Sequence, residues 1–373
     1  MSVNPFRYGQ LVFQDEYCPR PALEKRLIER IKSGQNTVIQ GERRVGKTSL
    51  IYRAISRLRG KRLFYIDLWG VKTGGDVLKR ALHGLSSVEK SGTLIEKIMR
   101  FLPNISVAVS ADPLSGLPTL SPSVTSRDFR PQDLGGLFEL IEDLHRKRPL
   151  ILAFDEFQDV LKLPEADVLL AFLRSKIQFL GDIPFLFAGS VRNEMWQIFA
   201  SPDSPFFTSA EFLEVSATDF DDFPGFIRKR FASGKIDISD ELMNIILDWC
   251  DHVPGDIQQL CSALWDTMNS RRKPVEDDLN QSLLLIFRNE AKGYEAVVDQ
   301  LSAQQLRVLT VLAVKGGASV LSKDFLTATG IAHASSVKAA FTRLEARGVI
   351  FRTNKEYRFV NPFFRRWLIY KNY

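Results

Sequence analysis

The run Gly41-Glu-Arg-Arg-Val-Gly46-Lys47-Thr48 matches the phosphate-loop pattern GxxxxGK[ST]. Glycines at both ends let successive backbone N–H groups point into one concavity, and a helix beginning there turns its positive dipole end toward a phosphate. The pattern predicts a cradle made by Gly41, Arg44, Val45, Gly46, Lys47, Thr48 and Ser49, in which Lys47 reaches the β- and γ-phosphates and the Thr48 hydroxyl takes Mg2+. About a hundred residues on, the apolar run Leu150-Ile-Leu-Ala-Phe ends in Asp155 and Glu156. A buried strand ending there delivers Asp155 to the sheet edge, to hold the hydration shell of Mg2+. Glu156 can then accept a proton from the attacking water. Ser190 closes the apolar run PFLFAGS and can hydrogen-bond the γ-phosphate or orient that water. Taken singly, an acidic strand end is also a common solvated edge and a serine after a strand is an ordinary turn residue. The phosphate loop upstream favours the catalytic reading.

These groups need a sheet to hold them. Short β-rich runs alternate with amphipathic helical stretches over the first two hundred residues, the pattern of a parallel sheet covered by helices. Strands are predicted over Asn36–Gln40, Arg62–Asp67, Pro149–Asp155, Pro184–Gly189 and Glu211–Ser216. The segment from Phe101 to Ser126 breaks this rhythm with Ser, Pro and Gly around ISVAVS, and reads as an inserted hairpin or loop. From about Asp219 the spacing of Ile227 and Phe231, then of Leu242, Ile245, Ile246 and Trp249, is helical. After Ala296 the order becomes helix, helix, helix and a short hairpin turning at Asn354, the order of a winged helix-turn-helix. The predicted division is therefore an α/β core over 1–218, a helical lid over 219–295 and a winged helix over 296–373.

Composition closes off other classes. The chain has 373 residues, 45% hydrophobic and 25% charged, which excludes disordered, collagenous and disulfide-scaffold proteins. No run approaches the roughly 18 apolar residues of a membrane span, and the opening MSVNPFRYGQ has no apolar signal core, so a cytoplasmic protein without membrane contact is expected. Four histidines and the cysteines Cys18, Cys250 and Cys261 show no metal or redox spacing, and reduced, mostly buried thiols are expected. Charge is uneven: residues 296–373 carry 12 Lys and Arg against 4 Asp and Glu, a local charge of +8. In a winged helix the third helix enters the major groove and the wing touches the backbone or minor groove. That helix would start near His333-Ala-Ser335-Ser336 and carry Lys338 and Arg343, with Arg352, Lys355 and Arg358 on the wing. Duplex DNA bound in a salt-dependent way is one reading. A protein-docking or dimerisation unit is the other.

The order of motifs resembles the AAA+ superfamily of P-loop ATPases, and more narrowly the archaeal-type ATPase family allied to the STAND signalling ATPases. The resemblance is carried by NPFRYG, by Cys18-Pro-Arg20 with Glu24, by GERRVGKTSLI, LAFDEFQ, the AGS strand end and HVPGD, and by FVNPFFRRWL near the end. It implies a P-loop NTPase sheet of order 5-1-4-3-2, ATP with Mg2+ in preference to GTP, and a segment from Phe6 to Arg20, including Tyr8, wrapping the adenine. It further implies that Pro254 of the lid touches the base, and that nucleotide state sets the angle between core, lid and winged helix. Two departures bear on rate. The family's arginine before the last core strand is replaced by Ser204-Pro-Phe-Phe-Thr-Ser209-Ala, and the lid arginine after Gly-Asp is replaced by Gln258. Arginine fingers are worth on the order of 10³ to 10⁵ in rate. The resemblance therefore implies slow hydrolysis, completed by Arg192, by a protein partner or by a second copy in a homo-oligomer, or else a nucleotide-locked regulatory scaffold whose winged helix docks a protein.

Overall fold

The near-continuous apolar runs of the first two hundred residues become strands buried on both faces. In the computed structural model, which describes residues 3–12, 16–89, 91–103, 106–111, 118–123, 134–190, 192–268, 272–353 and 356–373, the chain forms two compact units. One is 11–221; the other joins 1–10 to 222–373.

The 11–221 unit runs α1 (Pro21–Lys32), β1 (Thr37–Gln40), α2 (Lys47–Ser56), β2 (Arg62–Asp67), α3 (Gly74–Leu85), α4 (Ser91–Phe101), β3 (Ser106–Ala111), β4 (Pro118–Ser123), α5 (Gly135–Lys147), β5 (Leu150–Asp155), α6 (Ala166–Phe179), β6 (Phe185–Gly189), α7 (Arg192–Phe199) and β7 (Glu211–Glu214). Five strands make one parallel sheet in the order β2-β5-β6-β1-β7. Numbered along the chain within the sheet, this is the order 5-1-4-3-2 read from its other edge. Every residue of β1, β5 and β6 is buried, because helices cover both faces. Alternation divides their side chains between two cores, with Val38, Phe154 and Phe187 on one face and Ile39, Ala153 and Leu186 on the other. The carboxyl ends of these three central strands are where an open α/β sheet binds its ligand. Gly41, Asp155 with Glu156, and Ser190 follow directly from them. The segment that breaks the sequence rhythm supplies a separate antiparallel hairpin, β3 with β4.

The second unit runs α8 (Phe223–Ser233), α9 (Asp240–Trp249), α10 (Pro254–Thr267), α11 (Glu276–Asp299), α12 (Ala303–Lys315), α13 (Lys323–Thr329), α14 (Ala334–Ala346), β8 (Ile350–Arg352), β9 (Tyr357–Phe359) and α15 (Pro362–Lys371). Residues near the amino terminus belong here: Phe6 is buried against Phe231, at 4.5 Å between ring centroids, and against Trp265 at 6.3 Å. Asn4 Nδ2 donates to Ser262 O at 3.2 Å and to Asp266 Oδ1 at 2.9 Å. The 24-residue α11 runs straight across the division expected between 295 and 296. Trp367 of α15, 1% exposed, packs its ring against Tyr294 of α11 in a tilted contact at 5.4 Å and fastens the winged helix to that long helix. Starts are set by caps, including a reciprocal pair between Ser302 and Gln305 for α12 and Asn361 followed by Pro362 for α15. The wing turn at Asn354 and Lys355 lies outside the described residues. No described helix is long and apolar enough to cross a membrane.

Candidate active site

At the end of β1 the chain must turn sharply, and Gly41 permits it: a Cβ there would sit 2.2 Å from the Val215 carbonyl oxygen. Arg44 and Gly46 both take the left-handed conformation, at φ 64° and 89°. Gly46 is the N-cap of α2 and no side chain caps that helix, so its first N–H groups are left for an external acceptor. Val45 and Ser49 are buried around the loop. Lys47, only 6% exposed, donates to the carbonyls of Gly41 and Glu42, each at 2.9 Å. Burial holds its ammonium below the usual lysine range, against the pull of Glu156 and then Asp155. A buried cation facing carbonyl dipoles at an uncapped helix start is a donor set that suits a polyphosphate.

The acids of β5 meet the loop. Thr48 Oγ1 donates to Asp155 Oδ2 at 2.5 Å, and Tyr65 of β2 donates its hydroxyl to the same oxygen at 2.6 Å. Burial first, and then the Asp155 charge, push the Tyr65 phenol far above its usual range. Two hard oxygen ligands in contact suit a cation such as Mg2+. Among the described residues no group of three or more His, Cys, Asp or Glu could hold a metal. Glu156 takes a left-handed conformation, φ 49° and ψ 43°, and opens a 3-10 turn over Phe157–Lys162. Its Oε2 accepts from Ser190 Oγ at 2.6 Å and from Gln158 Nε2 at 2.5 Å. Lys47, Thr48, Asp155, Glu156 and Ser190 thus converge at the ends of three neighbouring strands.

The motifs give Tyr65 no role, and Gln158 enters them only as the last residue of LAFDEFQ. Arg20 enters only through the resemblance, in Cys18-Pro-Arg20, yet it lies against the loop. Its guanidinium is 1% exposed, donates to the Val45 carbonyl and sits 3.9 Å above the Phe220 ring. Among the described residues its Nε and Nη1 have no hydrogen-bond partner. Burial lowers its pKa. Glu24, fully buried, accepts from the Arg20 backbone N–H at 3.0 Å and pairs with Arg57 at 2.9 Å, which fixes the start of α1.

The remaining expected residues stand on other elements. Tyr8, 45% exposed, and Pro254, the buried first residue of α10, belong to the second unit. Arg192 opens α7, and its side chain falls outside the described part. On α14, Ser335, Lys338 and Arg343 are exposed. Arg352 stacks 5.6 Å over Tyr357 across the wing. The Arg358 charge is not left to a partner alone, because its Nε donates to Glu356 Oε1 at 2.6 Å. Lys355 lies outside the described residues.

Among known proteins, residues 292–370 match the family model described as "Probable winged helix domain". A Walker-type ATPase of Pyrococcus abyssi superposes with a TM-score of 0.67 at 18% identity, over 98% of this chain and 99% of that one. The shared fold is a P-loop core built on a five-stranded parallel sheet, followed by a helical region and a C-terminal winged helix. The ORC2 protein of Aeropyrum pernix in its ADP form follows at 0.53 and 13% identity, over 99% of this chain and 96% of that one. The ORC1 protein of Aeropyrum pernix in complex with DNA gives 0.52 and 14%, over 96% and 94%. A search of curated proteins finds no match.

Proposed function

We propose that this chain is an ATP-binding and ATP-hydrolysing switch that couples nucleotide state to its winged helix. The observation that carries the reading is the uncapped start of α2 beside the joined pair Thr48–Asp155 and the joined pair Glu156–Ser190. Gly41, Arg44, Val45, Gly46 and Ser49 line the phosphates with backbone N–H groups, and Lys47 pairs with the β- and γ-oxygens. Thr48 and Asp155 hold Mg2+, which when bound neutralises charge on the β- and γ-oxygens. Glu156 takes the proton of the attacking water, and Ser190 fixes that carboxylate or hydrogen-bonds the γ-phosphate. The ADP-bound and Walker-type relatives support the nucleotide class.

In this reading 1–218 is the motor core, 219–295 the lid and 296–373 the output domain, with α11 common to the last two. A lid that closes on ATP then carries the winged helix with it, provided ATP makes different contacts in the two arrangements. The DNA complex of one relative, together with exposed Lys338 and Arg343, supports duplex DNA as the partner. A second reading, a nucleotide-locked scaffold docking a protein, is favoured by the missing arginine over Ser204–Ala210 and by Glu356 engaging Arg358. Equilibrium binding of a fluorescent ATP analogue and single-turnover hydrolysis separate them. Glu156→Gln should bind ATP as the wild type does and stop hydrolysis. Normal hydrolysis in that variant removes Glu156 from the base role, and a wild type as slow as the variant favours the scaffold.

A further inference from the structure

Gln158 is 1% exposed, two residues beyond the acid, and makes a hydrogen bond that packing alone does not require. The 3-10 turn brings it back: the Asp159 N–H bonds to the Glu156 carbonyl at 2.9 Å, so the side chain of Gln158 folds over the residue that opens the turn. Glu156 pays for that turn with a left-handed backbone, uncommon for a residue with a Cβ and concentrated where surrounding structure enforces it. On its far side Gln158 is pressed against the end of β6. A Cβ on Gly189 would lie 2.6 Å from Gln158 Oε1 and 2.4 Å from Met195 Sδ, so glycine leaves room for the amide in its present position.

Both donors reach the same carboxylate atom. Gln158 Nε2 and Ser190 Oγ bond to Glu156 Oε2, at 2.5 and 2.6 Å, and among the described residues nothing bonds to Oε1. We propose that Gln158 is a positioning residue for hydrolysis, clamping Oε2 with Ser190 so that Oε1 is left as the atom that accepts the proton of water. The proposal rests on the reading of Glu156 as the base. It adds a specific division of labour within one carboxylate: one oxygen held by two donors, the other presented to the reaction. Two donors from different strands' ends fix the carboxylate plane, where one alone leaves a rotor. A misplacement of about 1 Å in such a group can cost on the order of 100-fold in rate.

The test compares wild type, Gln158→Met, Glu156→Gln and the double variant. Methionine keeps the length and removes the donor. Expected is a fall of about 10- to 100-fold in single-turnover hydrolysis by Gln158→Met, with the Kd for ATP within about twofold of wild type. In the Glu156→Gln background the same change should cost nothing further, which a merely structural role would not reproduce. Crystal structures without nucleotide give a readout independent of activity: in Gln158→Met the Glu156 carboxylate should have left Ser190. Unchanged hydrolysis, an equal loss in the Glu156→Gln background, or a carboxylate still seated on Ser190 overturns the proposal. Should Gln158→Met fail to fold, the wild-type crystal structure decides, since an amide turned away from Oε2 refutes the clamp. A wild type no faster than Glu156→Gln, with the clamp present in the crystal, instead overturns the hydrolase reading.

Discussion

Lys47 is the residue on which both binding and cost converge. Burial lowers its pKa in the folded chain. The sign follows: with the folded value below the unfolded one, the cost of holding the ammonium charged is full below the folded pKa and fades as pH rises through it. Lys47→Met should therefore raise the urea midpoint of the nucleotide-free protein at pH 7, with the gain shrinking at high pH, while abolishing ATP binding. A lowered midpoint would mean that its bonds to Gly41 and Glu42 outweigh the burial. Tyr65 tests the metal side. It is one of two donors to Asp155 Oδ2, and a hydrogen bond to a charged group is worth roughly 1.5–3 kcal/mol. Tyr65→Phe should cost about 2 kcal/mol in urea unfolding of the nucleotide-free protein. Lys47 and Thr48 can be named from the spacing within the phosphate-loop pattern, and Asp155 from the apolar run that it ends. Tyr65 and Gln158 cannot, because one reaches the site across a strand pairing and the other through a 3-10 turn, and neither spacing announces itself.

At the scale of elements, strands are read well where burial is complete. The runs that end in Gln40, Asp155 and Gly189 form strands with those same last residues, since an apolar run covered on both faces has one conformation that satisfies it. The run that ends in Asp67 does so at a sheet edge, where buried Phe64 and Ile66 alternate with half-buried neighbours. Edge strand β7 stops two residues short of Ser216, where one face is exposed and the pattern weakens. The place of Phe6 is not legible: its partners Phe231 and Trp265 lie more than two hundred residues away. Helix α14 carries the DNA prediction. Each phosphate neutralised contributes about 0.9 to the slope of log K against log salt. Changing Lys338 and Arg343 together to Ala should reduce that slope by about 2 in a duplex-binding titration. An unaltered slope and affinity would assign the helix to a protein partner.

For the whole molecule, α11 spans the point between 295 and 296 where composition changes, and the helix continues to Asp299. In the proposed reading the lid and the output domain share this 24-residue helix, fastened further by Trp367 on Tyr294, and therefore move together. That makes nucleotide turnover, rather than binding, the quantity that distinguishes a working switch from a locked one. Its most direct measurement is steady-state ATP turnover of the purified chain, with and without duplex DNA, using Glu156→Gln as the blank. The account predicts wild-type turnover above the blank and a further rise with DNA. Turnover at the level of the blank in both conditions would contradict it.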